Sequence, residues 1–271
     1  MRVPVLTYHS NNVSGHDYAA NDHVALAEDL ALGARLGWRI VPLAHVVDAL
    51  LGLAPAPPRR SLALSFDDGS WFDWYDLEHP RYGVQRGFAG VLRDHARASG
   101  AVVHATSFAI VSPAARAQLD RSCLAGRGWW SDDWWLDAAR EGMIAIESHS
   151  WDHNHDSLAT TAQRDGRRGT FANIATWHEA DAEIRQAADR LDAMLAPARA
   201  TLFAYPYGES NAYLREQYLP QHVAEHRVRA AFTTEAAPIT RDCARYALPR
   251  YVCGRDWRSP AEYERLLCDC A

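Results

Sequence analysis

The sequence predicts an α/β fold in which a parallel sheet closes into a barrel, and three observations lead there. Short apolar runs rich in Val, Leu, Ile and Ala alternate with amphipathic segments, the signature of repeated β-α units. The polar clusters with chemical potential come directly after such runs, which gathers them at one face of a barrel. A chain of 271 residues is long for one domain but ordinary for an α/β barrel. Residues 1–271 are therefore expected to form a single domain.

The elements follow in order. Val3–Tyr8 is an apolar strand ending in His9, and a Gly/Asn loop connects it to a helix predicted around His23–Leu36. There Leu26, Leu30 and Ala34 recur at i, i+4 and i+8. Trp38–Val41 reads as a short strand and Pro42–Leu51 as a helix. Ala54-Pro55-Ala56-Pro57-Pro58 is a stiff linker and no domain boundary, because the apolar run from Ser61 follows at once. A helix near Val84–Ala98 precedes a strand at Ala101–Ile110, and a helix near Trp134–Arg140 feeds the run Met143–Ile146. Glu179–Leu195 is the clearest helix, with Ile184, Ala188, Leu191 and Leu195 on one face. Strands at Ala200–Ala204, Val228–Thr233 and Tyr246–Val252 follow. Ser259-Pro260-Ala261-Glu262 opens the last helix with an N-cap, a Pro at N1 and a Glu at N3. The chain has no internal repeat and no low-complexity tract.

Two of these strands deliver metal-ligating side chains. Ser61–Phe66 ends in Asp67-Asp68-Gly69, and Met143–Ile146 leads into Glu147-Ser148-His149-Ser150-Trp151-Asp152-His153. Asp-Asp-Gly alone is an ordinary turn, and a lone His pair is an ordinary surface or core feature. Together, each at a strand end, they supply one Asp and two His, enough for a divalent ion with a position left open. The remaining Asp is a candidate base, which outlines a metal-assisted hydrolase. Alternation along a strand predicts that Asp67 and Asp68 point to opposite sides, one to the metal and one to the substrate pocket. The i, i+4 spacing of His149 and His153 predicts one helical turn presenting both rings. Position 150 is Ser, so the His-Glu-x-x-His protease motif is absent.

Composition narrows the class further. Net charge is −6 with a pI near 6.1, which leaves no electrostatic footprint for nucleic acid. Every basic side chain among Lys and Arg is Arg, read here as genome composition bias without functional meaning. Five Cys with no Cys-x-x-Cys pair exclude a zinc ribbon, and free thiols are expected, although Cys243 and Cys253 could bridge a loop. No stretch is long and apolar enough to span a membrane. The first strand starts at Arg2, which leaves no room for a signal peptide, so a cytoplasmic protein is expected, or an extracellular or periplasmic one if a leader has been removed.

The motifs resemble those of the polysaccharide deacetylase family, also called the NodB-homology domain or carbohydrate esterase family 4. Ser65-Phe66-Asp67-Asp68-Gly69 is similar to its first motif, [TS]-F-D-D-G, and His149-Ser150-Trp151-Asp152-His153 to its second, H-[ST]-x-x-H. Phe203-Ala204-Tyr205-Pro206-Tyr207-Gly208 resembles the third, R-x-P-[YF]-G, and the similarity spans nearly the whole chain. The resemblance implies a distorted (β/α)7 barrel. It also implies Asp67 as general base for the attacking water, and Asp68, His149 and His153 as ligands of Zn2+, with Co2+ or Ni2+ possible. The backbone N–H of Tyr207 would hold the oxyanion, in a turn stiffened by Pro206 and Gly208.

Two features depart from that pattern: Ala204 stands where the third motif has Arg, and the late Leu-x-His motif is missing, His226 being the last His. Both departures resemble the circularly permuted branch that includes deacetylases of poly-N-acetylglucosamine. On that likeness His9 is the general acid, and Arg250, in Leu248-Pro249-Arg250, supplies the guanidinium to Asp67. The implied function is a metal-dependent deacetylase acting on carbon–nitrogen bonds of an N-acetylated, or ester bonds of an O-acylated, carbohydrate. Alternatives are a hydrolase of a small or cyclic C–N substrate and a carbohydrate-binding pseudoenzyme, the latter suggested by Ala204.

Two aromatic insertions, Ser70–Tyr75 and Gly128–Trp135, are placed to shape a substrate groove, either as sugar-stacking faces or as half-buried core. The loop from Asp156 to Thr176 carries Arg164, Arg167 and Arg168, as a lid or anion clamp or as a solvated loop.

Overall fold

The computed structural model describes residues 1–162 and 168–271. Seven parallel strands run in chain order around a ring: β1 (Val5–Tyr8), β2 (Ser61–Asp68), β3 (Ala105–Ala109), β4 (Ile144–Ser148), β5 (Leu202–Ala204), β6 (Ala230–Phe232) and β7 (Tyr251–Val252). Val5 pairs with Ala63, Leu64 with Ala105, Ala105 with Ile144, Ser148 with Phe203 and Leu202 with Ala230. The ring closes through one segment that serves two neighbours. Leu248 bridges Phe232 of β6, and three residues on, Tyr251 and Val252 pair with Leu6 and Thr7 of β1. The predicted distorted (β/α)7 barrel is the observed architecture.

Period-two alternation sorts the strand residues between two layers. Val5, Ala63, Phe108, Ala204, Phe232 and Leu248 form one cluster inside the barrel, floored by Val3, Ile239, Leu43 and Val46. Leu6, Tyr8, Leu62, Leu64 and Phe66 belong instead to the outer layer, packed against the helices. Ala63 and Ser65 are thus inward neighbours of Asp67, and Val5 and Thr7 of His9. The hydroxyls of Thr7 and Ser65 meet at 2.8 Å, where the interior turns from apolar to polar.

The helical connections match the predicted positions with four exceptions, one being the helical stretch Tyr213–Tyr218, Leu219–Gln221 and Val223–His226 between β5 and β6, where no helix range was predicted. The segment from Val84 begins as a strand: Gly83–Gln85 pairs antiparallel with Leu77–His79, and the helix runs Phe88–Ser99. Asp76 draws the chain out of the helical path there, accepting hydrogen bonds from the Gly87 N–H and the Arg86 guanidinium. A helix at Pro113–Cys123, capped by Ser112, was not predicted. The long helix before β5 comprises Trp177–Ala180, Asp181–Arg185 and Gln186–Leu195, its middle part wound as π. The last helix, Pro260–Cys270, has the predicted Ser259 cap. All five Cys are free thiols. No helix among the described residues is long and apolar enough to cross a membrane.

Phe108 is the centre of the interior cluster: fully buried, 5.5 Å from the ring of Phe232 and under the Arg250 guanidinium at 5.3 Å. Phe108→Ala should cost about 3–5 kcal/mol of stability in urea unfolding, as large-to-small changes in packed cores do. A loss under about 1 kcal/mol would show that the interior is not packed around this ring.

Candidate active site

The carboxyl ends of the strands converge on a pocket of about 260 Å³ lined by His9, Asp67, Asp68, His149, His153 and Tyr207, among others. Asp67 lies at its base. Its Oδ1 accepts from Nη1 of Arg250 at 2.7 Å and its Oδ2 from Nη2 at 2.9 Å, a two-toothed ion pair with both partners buried. The Arg250 Nε–H donates to the Thr233 carbonyl at 3.1 Å, which fixes the plane of the fork. Burial works to raise the Asp67 pKa, but the Arg250 guanidinium, helped by His149, outweighs it and holds the carboxyl well below its usual range. The guanidinium missing at Ala204 therefore reaches Asp67 from the far end of the chain.

Asp68 departs from the strict alternation expected of it. Its backbone is left-handed, with φ +78°, and Gly69 follows at φ +71°, where a Cβ would lie 2.6 Å from Cβ of Ala109. The turn brings the Asp68 carboxylate to the same side as that of Asp67. Asp68 Oδ1 and Asp67 Oδ2 each lie 3.9 Å from Nε2 of His149.

The His pair also meets by a different route from the expected helical turn. Residues 149–153 form no helix, and the chain instead reverses through Ser150 at φ +70° and His153 at φ +66°. Ser150 Oγ accepts from the His153 N–H at 2.9 Å, and the Glu183 carbonyl from the Trp151 N–H at 2.8 Å. Glu183 accordingly holds the loop from the π-wound helix segment. The two imidazole rings sit edge to face at 4.8 Å. His149 Nδ1 meets the Ala204 carbonyl at 2.9 Å, so it carries the proton and leaves Nε2 a lone pair toward the pocket. Burial lowers the pKa of both rings, most for His153, whose neighbours His149 and His155 push the same way. Both shifts favour the neutral imidazole, the form that binds metal.

Ligand atoms of Asp68, His149 and His153 lie within 4.8 Å of one another, close enough to hold one ion. Nδ1 of His153 is buried without a hydrogen-bond partner, and the donor set of one carboxylate and two imidazoles suits a divalent ion that keeps an open position. The residues present fit a metal. His155 lines the same pocket, but its Nδ1 accepts from the Ser157 N–H, and it is not part of this cluster.

His9 follows the inward face of β1 into the pocket, its N–H bonded to Asp22 Oδ2 at 2.8 Å. Tyr207 adopts φ +59°, and its ring packs edge to face on His153 at 4.5 Å. Gly208 behind it has φ +70°, and a Cβ there would lie 2.0 Å from Thr234 Oγ1. The third motif's glycine is thus sterically required.

Sequence reasoning missed three polar contributors. Asn11, two residues after His9, donates from Nδ2 to Asp68 Oδ2 at 3.2 Å. Asp73 lies buried behind the aspartates, accepting from Ser107 Oγ at 2.6 Å. Burial pushes its pKa to about 7, with the charges of Asp68 and Asp67 adding to the rise. Glu147 accepts from the Thr201 and Leu202 N–H groups at 2.7 Å each, and burial raises it to about 8. Its position beside the His motif was the signal available.

The Trp residues of the Gly128–Trp135 insertion are core, whereas Ser70–Tyr75 buries Phe72, half-buries Trp71 and Trp74 and leaves Tyr75 exposed. Trp134 and Trp135 are fully enclosed, Trp129 and Trp130 nearly so, and Trp71 spends its N–H on Ser131 and Asp133. Of this group only Trp130 lines the pocket. Arg164 and Arg167 lie outside the described residues, and Arg168 is exposed, donating to the Leu158 carbonyl.

A family profile described as polysaccharide deacetylase matches residues 54–221, more than half of the chain. The chain belongs to the polysaccharide deacetylase family. No curated protein sequence matches it. Its fold is similar to the Streptococcus pyogenes deacetylase PplD in complex with acetate (TM-score 0.65, 17% identity, 98% of each chain covered). It is also similar to a de-N-acetylase from Aggregatibacter actinomycetemcomitans (TM-score 0.65, 13% identity, 98% of this chain and 100% of that one). IcaB from Ammonifex degensii gives a TM-score of 0.63 at 17% identity, over 98% of this chain and 96% of that one. Family membership assigns carbohydrate deacetylation as the class of chemistry.

Replacing Arg250 tests the ion pair. Arg250→Gln leaves Asp67 buried without its partner, either as an unpaired charge or forced to take up a proton, and should cost about 3–5 kcal/mol at pH 7. The folded pKa of Asp67 is depressed, so its contribution is complete above the unfolded value of about 4 and fades as pH falls below that. Denaturant titrations should therefore show a wide gap between wild type and Arg250→Gln at pH 7 that narrows only in acid. A gap that instead widens in acid would contradict a charged Asp67.

Proposed function

We propose that this chain is a divalent-metal hydrolase that removes acetyl or other acyl groups from an N-acetylated or O-acylated carbohydrate, with residues 1–271 acting as one catalytic unit. The convergence of Asp68, His149 and His153 beside the Asp67–Arg250 pair carries this reading. Asp68, His149 and His153 would hold the ion, with Zn2+ the best match to two imidazoles and one carboxylate. When bound, the ion supplies Lewis-acid polarisation of the acyl oxygen and a lowered pKa for the attacking water.

The chain's own residues take the remaining tasks. Asp67, kept ionised and aimed by Arg250, is the general base that receives the proton of the attacking water. The Tyr207 backbone N–H, in its left-handed turn, faces the developing oxyanion. His9 is the general acid for the departing amine or alcohol, since it follows the inward face of β1 into the same pocket as Asp67. The need for both β1 and β7 to close the ring supports a unit wider than the matched segment 54–221. The compact pocket of about 260 Å³ suits a substrate presenting one acylated ring at a time, and a small acylated amide would also enter.

Acetate release from N-acetylglucosamine oligomers is the direct test. Release should stop on chelation and return with Zn2+. Asp67→Asn should keep the ion yet lose on the order of a hundredfold or more in turnover, as for a missing general base. Undiminished turnover in that variant would move the base to another residue.

The role of His9 is tested by leaving group. His9→Ala should slow hydrolysis of an amide far more than that of an activated aryl ester, whose leaving group needs little protonation. Equal losses on both substrates would mean that the acid lies elsewhere.

A further inference from the structure

Asp68 holds a left-handed backbone conformation, with φ +78°, that is strained for an L-residue, so something must keep it there. Its carbonyl oxygen accepts two hydrogen bonds: from the Ile110 N–H at 3.2 Å and from the Trp130 indole N–H at 3.0 Å. The first is a main-chain contact that any residue at 110 except Pro could supply. The second depends on the side chain. Trp130 is itself anchored on several sides. Its carbonyl accepts from Arg116 at 3.1 Å, and the Arg116 guanidinium pairs with Asp132 and lies 4.6 Å over the Trp135 ring. Immediately upstream, the Asp120 carboxylate accepts from the N–H groups of Gly128 and Trp129, and the Trp129 carbonyl from Trp71 N–H. The insertion that resembles a sugar platform in sequence is a stitched plug with one indole N–H delivered to the back of Asp68. Its neighbours Trp134 and Trp135 are as deeply buried, but their N–H groups meet no partner.

We propose that Trp130 is a positioning residue for the metal site: its N–H locks the left-handed turn at Asp68, which keeps the carboxylate beside His149. This rests on the assignment of Asp68 as a metal ligand. Hydrogen-bonding partners behind a ligand tune affinity by 10–100-fold in metal sites generally. Without the N–H, the Asp68 backbone is free to relax toward extended geometry, where alternation turns its side chain away from His149.

The test measures Zn2+ affinity by competition with a chromophoric chelator, together with thermal unfolding of the metal-free protein. Trp130→Phe removes the N–H, and incorporation of benzothienylalanine at 130 removes it while keeping the fused ring, which covers the case where Phe perturbs packing. Both should weaken Zn2+ binding by roughly 10–100-fold. The metal-free benzothienylalanine protein should melt within a few degrees of wild type. Trp134→Phe, which deletes an unpartnered N–H in the same plug, should bind Zn2+ as wild type does. Unchanged affinity in the benzothienylalanine protein, or an equal loss in Trp134→Phe, would overturn the role of Trp130. Wild-type protein that binds no Zn2+ would instead overturn the metal assignment, and this inference with it.

Discussion

The fork between Arg250 and Asp67 organises the rest of the site. A carboxylate buried in the mouth of a barrel cannot stay charged alone, because desolvation would protonate it. The guanidinium removes that problem and fixes the orientation of the carboxylate with two parallel hydrogen bonds. It also requires the barrel to be closed, since Arg250 lies between the residue that bridges β6 and the strand that pairs with β1. Phe108 and Phe232 beneath it supply an apolar floor that gives the pair its low-dielectric setting.

A second constraint is local strain. Seven non-glycine residues among those described have positive φ, and five of them, Asp68, Ser150, His153, Asn154 and Tyr207, belong to the site or its supporting loop. Such residues persist only where surrounding contacts over-determine them. The contacts are identifiable here: Trp130 and Ile110 on Asp68, Ser150 and Glu183 on the His loop, and the Gly208 fit against Thr234 behind Tyr207. The geometry of the proposed ligands therefore depends on the packing behind them as much as on the side chains themselves.

Much of this was legible in the sequence. Apolar runs marked all seven strands, and the polar residues after them marked the pocket, His9 among them, whereas Arg250, which precedes β7, was reached only through the likeness of Leu248-Pro249-Arg250 to the permuted branch. Geometry at single residues was not legible. Period-two alternation could not foresee that Asp68 leaves the strand conformation, nor helical spacing that His149 and His153 meet across a left-handed reversal. In both cases tertiary hydrogen bonds override the local periodicity. The Trp-rich insertions left two readings open for a related reason: composition reports that aromatic rings are present, while enclosure depends on partners such as Arg116 and Asp120 that are unremarkable in type.

The ring's seam has a consequence for biosynthesis. β1 and β7 are neighbours in space, though five other strands of the ring separate them in the sequence. A nascent chain ending before Arg250 holds Asp67 without its guanidinium and a sheet with two open edges. Closure of the ring and pairing of Asp67 thus arrive together, and a chain cut before Arg250 carries Asp68, His149 and His153 without the closed ring around them.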